Sequence, residues 1–154
     1  MPMQEQDVRA ALSAIEPNYA ELARALGPPA LPGLARAAQD PDPLLAAKAV
    51  YLASLIPVPN AAAIVRGAAG RSEPQLRVAA ASAARNLAAA EAGEILTALV
   101  SDGDPGVRKV ALGSVPATVP AALRAKLDAA VAADPEPALR ELSRAVLQRL
   151  RPSP

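Results

Sequence analysis

Acidic side chains recur in close pairs along this sequence, and paired carboxylates can bind a metal ion or act as general acid and base. Three pairs have one residue between their two members: Asp40 and Asp42, Asp102 and Asp104, Asp134 and Glu136. The second acid of each pair directly precedes a proline, where a carboxylate can cap the start of a helix. Because capping explains these acids, we predict no catalytic residue, no metal site and no cofactor.

The 154-residue sequence contains no cysteine and no histidine. Their absence excludes disulfides, thiol catalysis, cysteine-ligated zinc and an imidazole general base. The net charge of +1 gives no electrostatic case for a nucleic acid or an anionic membrane as the main partner. We therefore predict that the chain is not an enzyme and that it binds neither nucleic acid nor membrane.

The chain begins with a polar, acid-containing segment, residues 1–7, which is unlike a secretory signal. No apolar run approaches the roughly 20 residues needed to cross a bilayer. These features predict a cytoplasmic protein. The Ala-, Pro- and Arg-rich composition indicates a GC-rich bacterial genome.

An acid followed by proline opens five apolar, alanine-rich runs, and the last four of these prolines are 31, 31 and 32 residues apart. A fixed period of this length indicates one structural unit stacked on copies of itself. After each proline, apolar and small residues recur at helical spacing. A shorter apolar helix precedes each proline, with anchors at Leu34, Val65, Leu96 and Leu127. Each unit is therefore predicted to be a helical hairpin, helix A followed by helix B.

The start of helix B resembles the HEAT-repeat superfamily, in particular the short HEAT-like repeats of phycobilisome lyases. Residues 104–108 match that family's Asp-Pro-x-Val-Arg stretch, and residues 73–77 and 136–140 match it with conservative changes. Residues 42–46 lack the arginine. The resemblance implies an all-α, right-handed α-α superhelix of about five hairpins and ten helices. We predict one domain, 1–154, with repeats at 3–27, 28–58, 59–90, 91–119 and 120–151 and a tail at 152–154.

The signature residues form a ladder along the stack, to which the resemblance assigns a structural role. Its members are Asp42, Pro43, Glu73, Pro74, Arg77, Asp104, Pro105, Arg108, Glu136, Pro137 and Arg140. We predict that each ladder arginine pairs with an acidic linker of its own or a neighbouring unit, such as Asp102 or Asp134. The alternative is an anion-binding stripe that also includes other basic residues: Arg85, Lys109, Arg144 and Arg149.

The helical register also predicts an outward face on the B helices, which line the concave side in the family that this chain resembles. The candidate partner-binding residues on this face are Ala47, Val50, Tyr51, Val78, Ser82, Arg85, Lys109 and Leu112. Ala81 is also placed outward. This face is apolar toward the N-terminal half, and such patches mark interaction sites. The alternative is a narrow groove in which neighbouring helices half-bury these side chains.

A repeat solenoid without a catalytic constellation favours a non-catalytic protein–protein interaction scaffold or adaptor. We expect a protein or peptide partner on the concave B-helix face, and a monomer or weak homo-oligomer. Two alternatives remain open at this point: a HEAT-like nucleic-acid-binding protein and a chromophore-lyase-like enzyme.

Overall fold

Ten α-helices make up the part of the chain that this computed structural model describes, residues 5–13 and 18–152. They are α1 (Glu5–Leu12), α2 (Tyr19–Leu26), α3 (Leu31–Ala37), α4 (Pro43–Ser54), α5 (Pro59–Ala69), α6 (Pro74–Ala84), α7 (Ala89–Leu99), α8 (Pro105–Gly113), α9 (Ala121–Ala133) and α10 (Pro137–Arg149). A 3-10 turn, Pro28–Ala30, precedes α3. No strand occurs among these residues, and the all-α prediction is confirmed.

The helices form two layers. The odd-numbered A helices contact one another in chain order, α1 to α3, α3 to α5, α5 to α7 and α7 to α9. The even-numbered B helices do the same from α2 through α10, and each described A helix from α3 onward also contacts the B helix that follows it. Five helical hairpins are thus stacked side by side, which confirms the predicted solenoid architecture.

Helix B begins as its sequence predicts in four of the five units. The proline lies at the first helical position of α4, α6, α8 and α10, where a missing N–H costs no hydrogen bond. The Asp42 carboxylate accepts a hydrogen bond from the Leu44 N–H at 3.0 Å, and that of Asp104 accepts from the Gly106 N–H at 2.7 Å. Glu73 and Glu136 occupy the cap without a side-chain hydrogen bond to the helix, because glutamate has a longer and less suitable side chain.

The first hairpin has two short helices within the described residues. Helix α1 ends at Leu12, and α2 starts at Tyr19. Asn18 caps α2 by accepting a hydrogen bond from the Glu21 N–H at 3.1 Å. The acid–proline pair of this unit, residues 16–17, lies outside the described residues.

Two irregular positions in the repeat have a clear structural role. Helix α8 has nine residues and ends at Gly113, shortly before Pro116, which cannot continue a helix. Lys48 replaces an apolar residue on α4, and its ammonium donates a hydrogen bond to the carbonyl of Leu12 at 3.2 Å. This contact places a positive charge at the C-terminal end of α1, where it complements the helix dipole.

The predicted outward register is wrong at one recurring position, the seventh residue after the proline. Val50, Ala81 and Leu112 are fully buried, although the sequence placed them outward. Each belongs to a B helix that contacts a B helix on either side, so it is covered on two flanks as well as by its own A helix. The core consequently runs between the B helices and not only between the two layers.

Candidate functional site

The B-helix face consists of the side chains of α4, α6 and α8 that remain accessible. Of the predicted binding residues, Arg85 and Lys109 are exposed, and four others are half-buried: Ala47, Tyr51, Val78 and Ser82. Val50 and Leu112 do not belong to this face because the adjacent helices cover them. The accessible side chains therefore form a mixed surface that is apolar on α4 and basic on α8.

The exposed side chain of Leu44 was missed by the sequence analysis. Leu44 lies in the first turn of α4 and is 63% exposed, the highest exposure of any large apolar residue among those described. The same position in the later units holds Gln75, Gly106 and Ala138, so the comparison of repeats could have singled out Leu44. It extends the apolar part of the B-helix face toward the start of α4.

Tyr51 contacts the first hairpin. Its ring meets the Tyr19 ring edge-on, with 5.0 Å between ring centroids and an interplanar angle of 73°. Partial burial, followed by the neighbouring Tyr51, raises the pKa of Tyr19 above the ordinary value. The Tyr51 ring thus joins α4 to α2 and is only partly available to a partner, which is the outcome the half-buried alternative describes.

A polar edge runs along the turns from helix B to the next helix A. Arg85 at the end of α6 donates to the Ser114 hydroxyl at 3.3 Å, and the Ser114 hydroxyl donates to the carbonyl of Val110 at 2.8 Å. One unit earlier, the Asn86 amide donates to the Ser54 hydroxyl at 3.0 Å. Sequence reasoning missed this edge, since its residue types differ from unit to unit.

The opposite edge, at the turns from helix A to helix B, carries the arginine ladder. The Arg77 guanidinium donates two hydrogen bonds to the Asp102 carboxylate, at 2.8 and 3.2 Å. Arg108 repeats this contact with Asp134 at 3.0 and 3.1 Å, in a pair whose side chains are 10% and 2% exposed. Such parallel, charge-assisted bonds fix both distance and orientation. Arg77 and Arg108 therefore each connect the linker of their own unit to the linker of the next unit.

The carboxylates of the linkers also stabilise their own turns. Asp40, Asp102 and Asp134 each accept a hydrogen bond at 2.9 Å from the backbone N–H two residues later. Burial on its own raises the pKa of Asp102, but the hydrogen bonds from Arg77 and from the Asp104 N–H, together with the arginine charges, lower that pKa overall. Asp102 is thus held ionised by structural partners, so it is poorly suited to proton transfer.

The end of the ladder differs from its middle. Arg140 donates to the carbonyl of Asp134 at 2.7 Å, as Arg108 does to that of Asp102 at 2.9 Å. Among residues 5–13 and 18–152, no carboxylate pairs with Arg140.

No cluster of three or more acidic side chains in the described part of the chain could hold a metal ion. None of the helices described is long and apolar enough to cross a membrane.

No protein-family model and no curated protein matches this sequence. Among solved structures, a similar chain comes from the complex of CpcE and CpcF of phycocyanin lyase from Nostoc sp. PCC7120. The two chains share 22% identity and a TM-score of 0.69, and the alignment covers 92% of this chain and 96% of the other. The chain therefore has the HEAT-like repeat fold that its sequence resembles.

This likeness also corrects the functional prediction. The sequence favoured a non-catalytic interaction scaffold and no enzyme, whereas the similar solenoid is part of a lyase. The finding contradicts both predictions and favours the chromophore-lyase alternative. The similar chain is also part of a complex of two proteins, in agreement with the expectation of a protein partner.

Proposed function

We propose that this chain is a subunit of a chromophore lyase of the phycocyanin-lyase type and that it works with a second protein. The observation that carries the proposal is the extent of the likeness, which covers nearly the whole of both chains. The two solenoids correspond in length as well as in the type of repeat. A shared single hairpin would support the proposal much less, since repeats of this kind serve many functions.

The residue inventory limits what this subunit contributes to the reaction. It has no imidazole and no thiol, and the carboxylates of Asp102 and Asp134 are committed to Arg77 and Arg108. Its contribution in this proposal is to bind and orient the chromophore or the acceptor protein. Positioning alone supplies a large part of many rate enhancements, because it removes translational and rotational freedom before the reaction.

The B-helix face is the proposed surface for the acceptor protein. Leu44 presents an apolar side chain that is 63% exposed, and Ala47 and Val78 continue the apolar area beside it. Lys109 adds an exposed positive charge farther along the stack. An apolar centre with a charged margin is the usual composition of a protein-binding surface.

The proposal can be tested with the tagged chain purified from its own cells together with the protein that accompanies it. Amino-acid side chains do not absorb visible light, so visible absorbance in the preparation belongs to a bound chromophore. The preparation is mixed with chromophore-free phycocyanin and with chromophore released from phycocyanin. We expect the amount of chromophore that stays attached after denaturation to exceed that in buffer alone. An amount equal to the buffer control contradicts the proposal.

A matched pair of variants tests the surface within the same assay. Leu44→Gln gives α4 the residue that α6 carries at the same position, so folding should be preserved. We expect it to lower chromophore transfer several-fold. Ala138→Gln introduces the same residue at the corresponding exposed position of α10 and should leave transfer unchanged. Equal transfer by both variants would remove Leu44 from the acceptor surface.

A further inference from the structure

A cleft with a volume of about 430 Å³ lies between the C-terminal ends of α7 and α9, away from the B-helix face. Val100–Gly103, at the end of α7, forms one wall. The other wall is one face of α9, formed by Lys126, Ala129, Ala130 and Ala133. This volume lies within the range of about 300–1,000 Å³ that is typical of small-molecule sites. The α9 wall spans eight residues, from Lys126 to Ala133, and is therefore about 10 Å long.

The charges in this cleft are neutralised by partners, with one exception. Asp134 is paired with Arg108, and Asp102 with Arg77. The carbonyls of Asp102 and Gly103 accept hydrogen bonds from Arg108 at 2.9 and 3.3 Å. Lys126 is exposed, and no residue of the described part of the chain pairs with its ammonium. The cleft therefore combines apolar alanine walls with one positive charge available to a ligand.

A matching cleft two repeats earlier shows what is specific to this one. It lies between α3 and α5 and has a volume of about 230 Å³. When α5 and α9 are aligned at their anchors Val65 and Leu127, Arg71 falls on Ala133, and Gln39 falls on Ser101. The Arg71 guanidinium donates to the Gln39 side-chain oxygen at 3.0 Å, across the cleft. Ile64 stands where the larger cleft has Lys126. The cation of the smaller cleft, Arg71, is bound to Gln39 and Glu73, whereas no described residue pairs with Lys126 of the wider cleft.

We propose that the α7–α9 cleft binds a small amphipathic acid, with its apolar body against the alanine face of α9 and its carboxylate on Lys126. The Arg108–Asp134 pair forms a rigid end to the cleft, because its donors and acceptors are already satisfied. This pair therefore offers a ligand no further charge-assisted contact. The proposal specifies one carboxylate bound at Lys126 and an apolar body against α9.

Two sources could supply this chemistry, a fatty acid or the chromophore of the proposed lyase. Identifying the ligand with the chromophore rests on the proposed function, whereas the cleft itself does not. The test therefore uses two probes, dodecanoate below its micellar concentration and chromophore released from phycocyanin. Dodecanol serves as the uncharged analogue. Binding is measured by calorimetry for the lipids and by visible absorbance for the chromophore.

The variants follow from the comparison of the two clefts. Lys126→Ile removes the charge and introduces the residue of the smaller cleft. The double variant Ser101→Gln/Ala133→Arg introduces the two residues whose hydrogen bond crosses the smaller cleft. All three positions are exposed, so helical content by circular dichroism should not change. We expect Lys126→Ile to weaken dodecanoate binding about tenfold, as loss of a charge-assisted contact does, and to leave dodecanol binding unchanged. The double variant should abolish binding of both lipids.

A control opens the smaller cleft with the double variant Gln39→Ser/Arg71→Ala. Because Ile64 remains, this change should add no second site for dodecanoate. If neither probe binds the wild-type chain, or if Lys126→Ile binds dodecanoate as tightly as the wild type, the proposal is wrong. If chromophore transfer depends on neither the charge nor the closure, the chromophore is not the ligand of this cleft, and the lyase proposal stands. If dodecanoate binding depends on Lys126 and no chromophore is transferred, the cleft proposal stands and the lyase proposal fails.

Discussion

The guanidinium of Arg108 divides its hydrogen bonds between two repeats. Two donors bind the Asp134 carboxylate of the next linker, and the third nitrogen binds carbonyls of its own linker at Asp102 and Gly103. Where the ladder is interrupted, both partners change together: Ala46 replaces the arginine, and Arg71 replaces the following unit's acid. The arginine and its acid are thus absent from the same contact. This is expected for a paired contact, because a buried arginine or aspartate without its partner is destabilising.

The buried position of this pair predicts a large cost when one partner is lost. Arg108→Ala leaves the Asp134 carboxylate, which is 2% exposed, without its counter-charge. We expect the free energy of unfolding, measured by urea titration, to fall by about 3–5 kcal/mol. Arg144→Ala removes an exposed arginine paired with Glu141 and should change it by less than about 0.5 kcal/mol. Similar losses for both variants would show that the ladder is not a buried contact.

The lowered pKa of Asp102 predicts how stability depends on pH. A carboxyl whose folded-state pKa lies below its unfolded value stabilises the fold above that unfolded value, about 3.9 for aspartate. This contribution is lost as the pH falls through the folded-state pKa. Asp102→Asn should therefore be less stable than the wild type at neutral pH, and the two should converge in acid. Arg77→Met removes the main stabilising partner and should flatten the same curve; a constant difference at all pH values would contradict the assignment.

The ladder and cap residues were predictable because each is a local rule repeated along the chain. Asp42 and Asp104 cap their helices as the acid–proline spacing predicts. The B-helix face was predictable only in part, because the spacing within one helix cannot show that Val50 and Leu112 are covered by a neighbouring unit. The cleft beside Lys126 depends on which side chains are small in two different repeats, and a single helix carries no such signal.

At the scale of the helices, glycines show where two elements approach most closely. A Cβ added to Gly93 on α7 would come within 2.6 Å of the Pro120 ring, at the start of α9. A Cβ added to Gly67 on α5 would meet nothing within 4 Å. The α7–α9 junction therefore depends on the absence of a side chain at one position, and α5 has no such constraint.

These two glycines predict opposite effects of the same substitution. Gly93→Ala should lower the free energy of unfolding by about 1–3 kcal/mol, because the rigid proline ring cannot move without shifting α9. Gly67→Ala should raise it by up to about 1 kcal/mol, the difference in helix propensity between the two residues. Thermal and urea unfolding of both variants measure this contrast. Stabilisation by both substitutions would mean that α7 and α9 lie farther apart than described.

At the scale of the whole molecule, each repeat is stabilised by its neighbours in the stack, as in other solenoids. The seventh residue after the proline reads Val50, Ala81 and Leu112 in the second, third and fourth units, and all three are fully buried. In the fifth unit the same position holds Arg144, whose side chain is 48% exposed and pairs with Glu141. This position therefore holds an apolar residue where a further described repeat covers it, and a charged residue where none does.

This correspondence predicts that one substitution has opposite effects in chains of two lengths. In the full chain, Leu112→Arg buries a charge against α10 and should cost more than about 3 kcal/mol of unfolding free energy. In a chain shortened to residues 1–119, Leu112 loses the cover of the fifth unit, and the shortened chain should aggregate because its apolar end is exposed. There Leu112→Arg supplies what Arg144 supplies in the full chain, so the monomeric fraction in size-exclusion chromatography should rise. If Leu112→Arg acts in the same direction in both chains, the B-helix stacking described here does not determine the residue at this position.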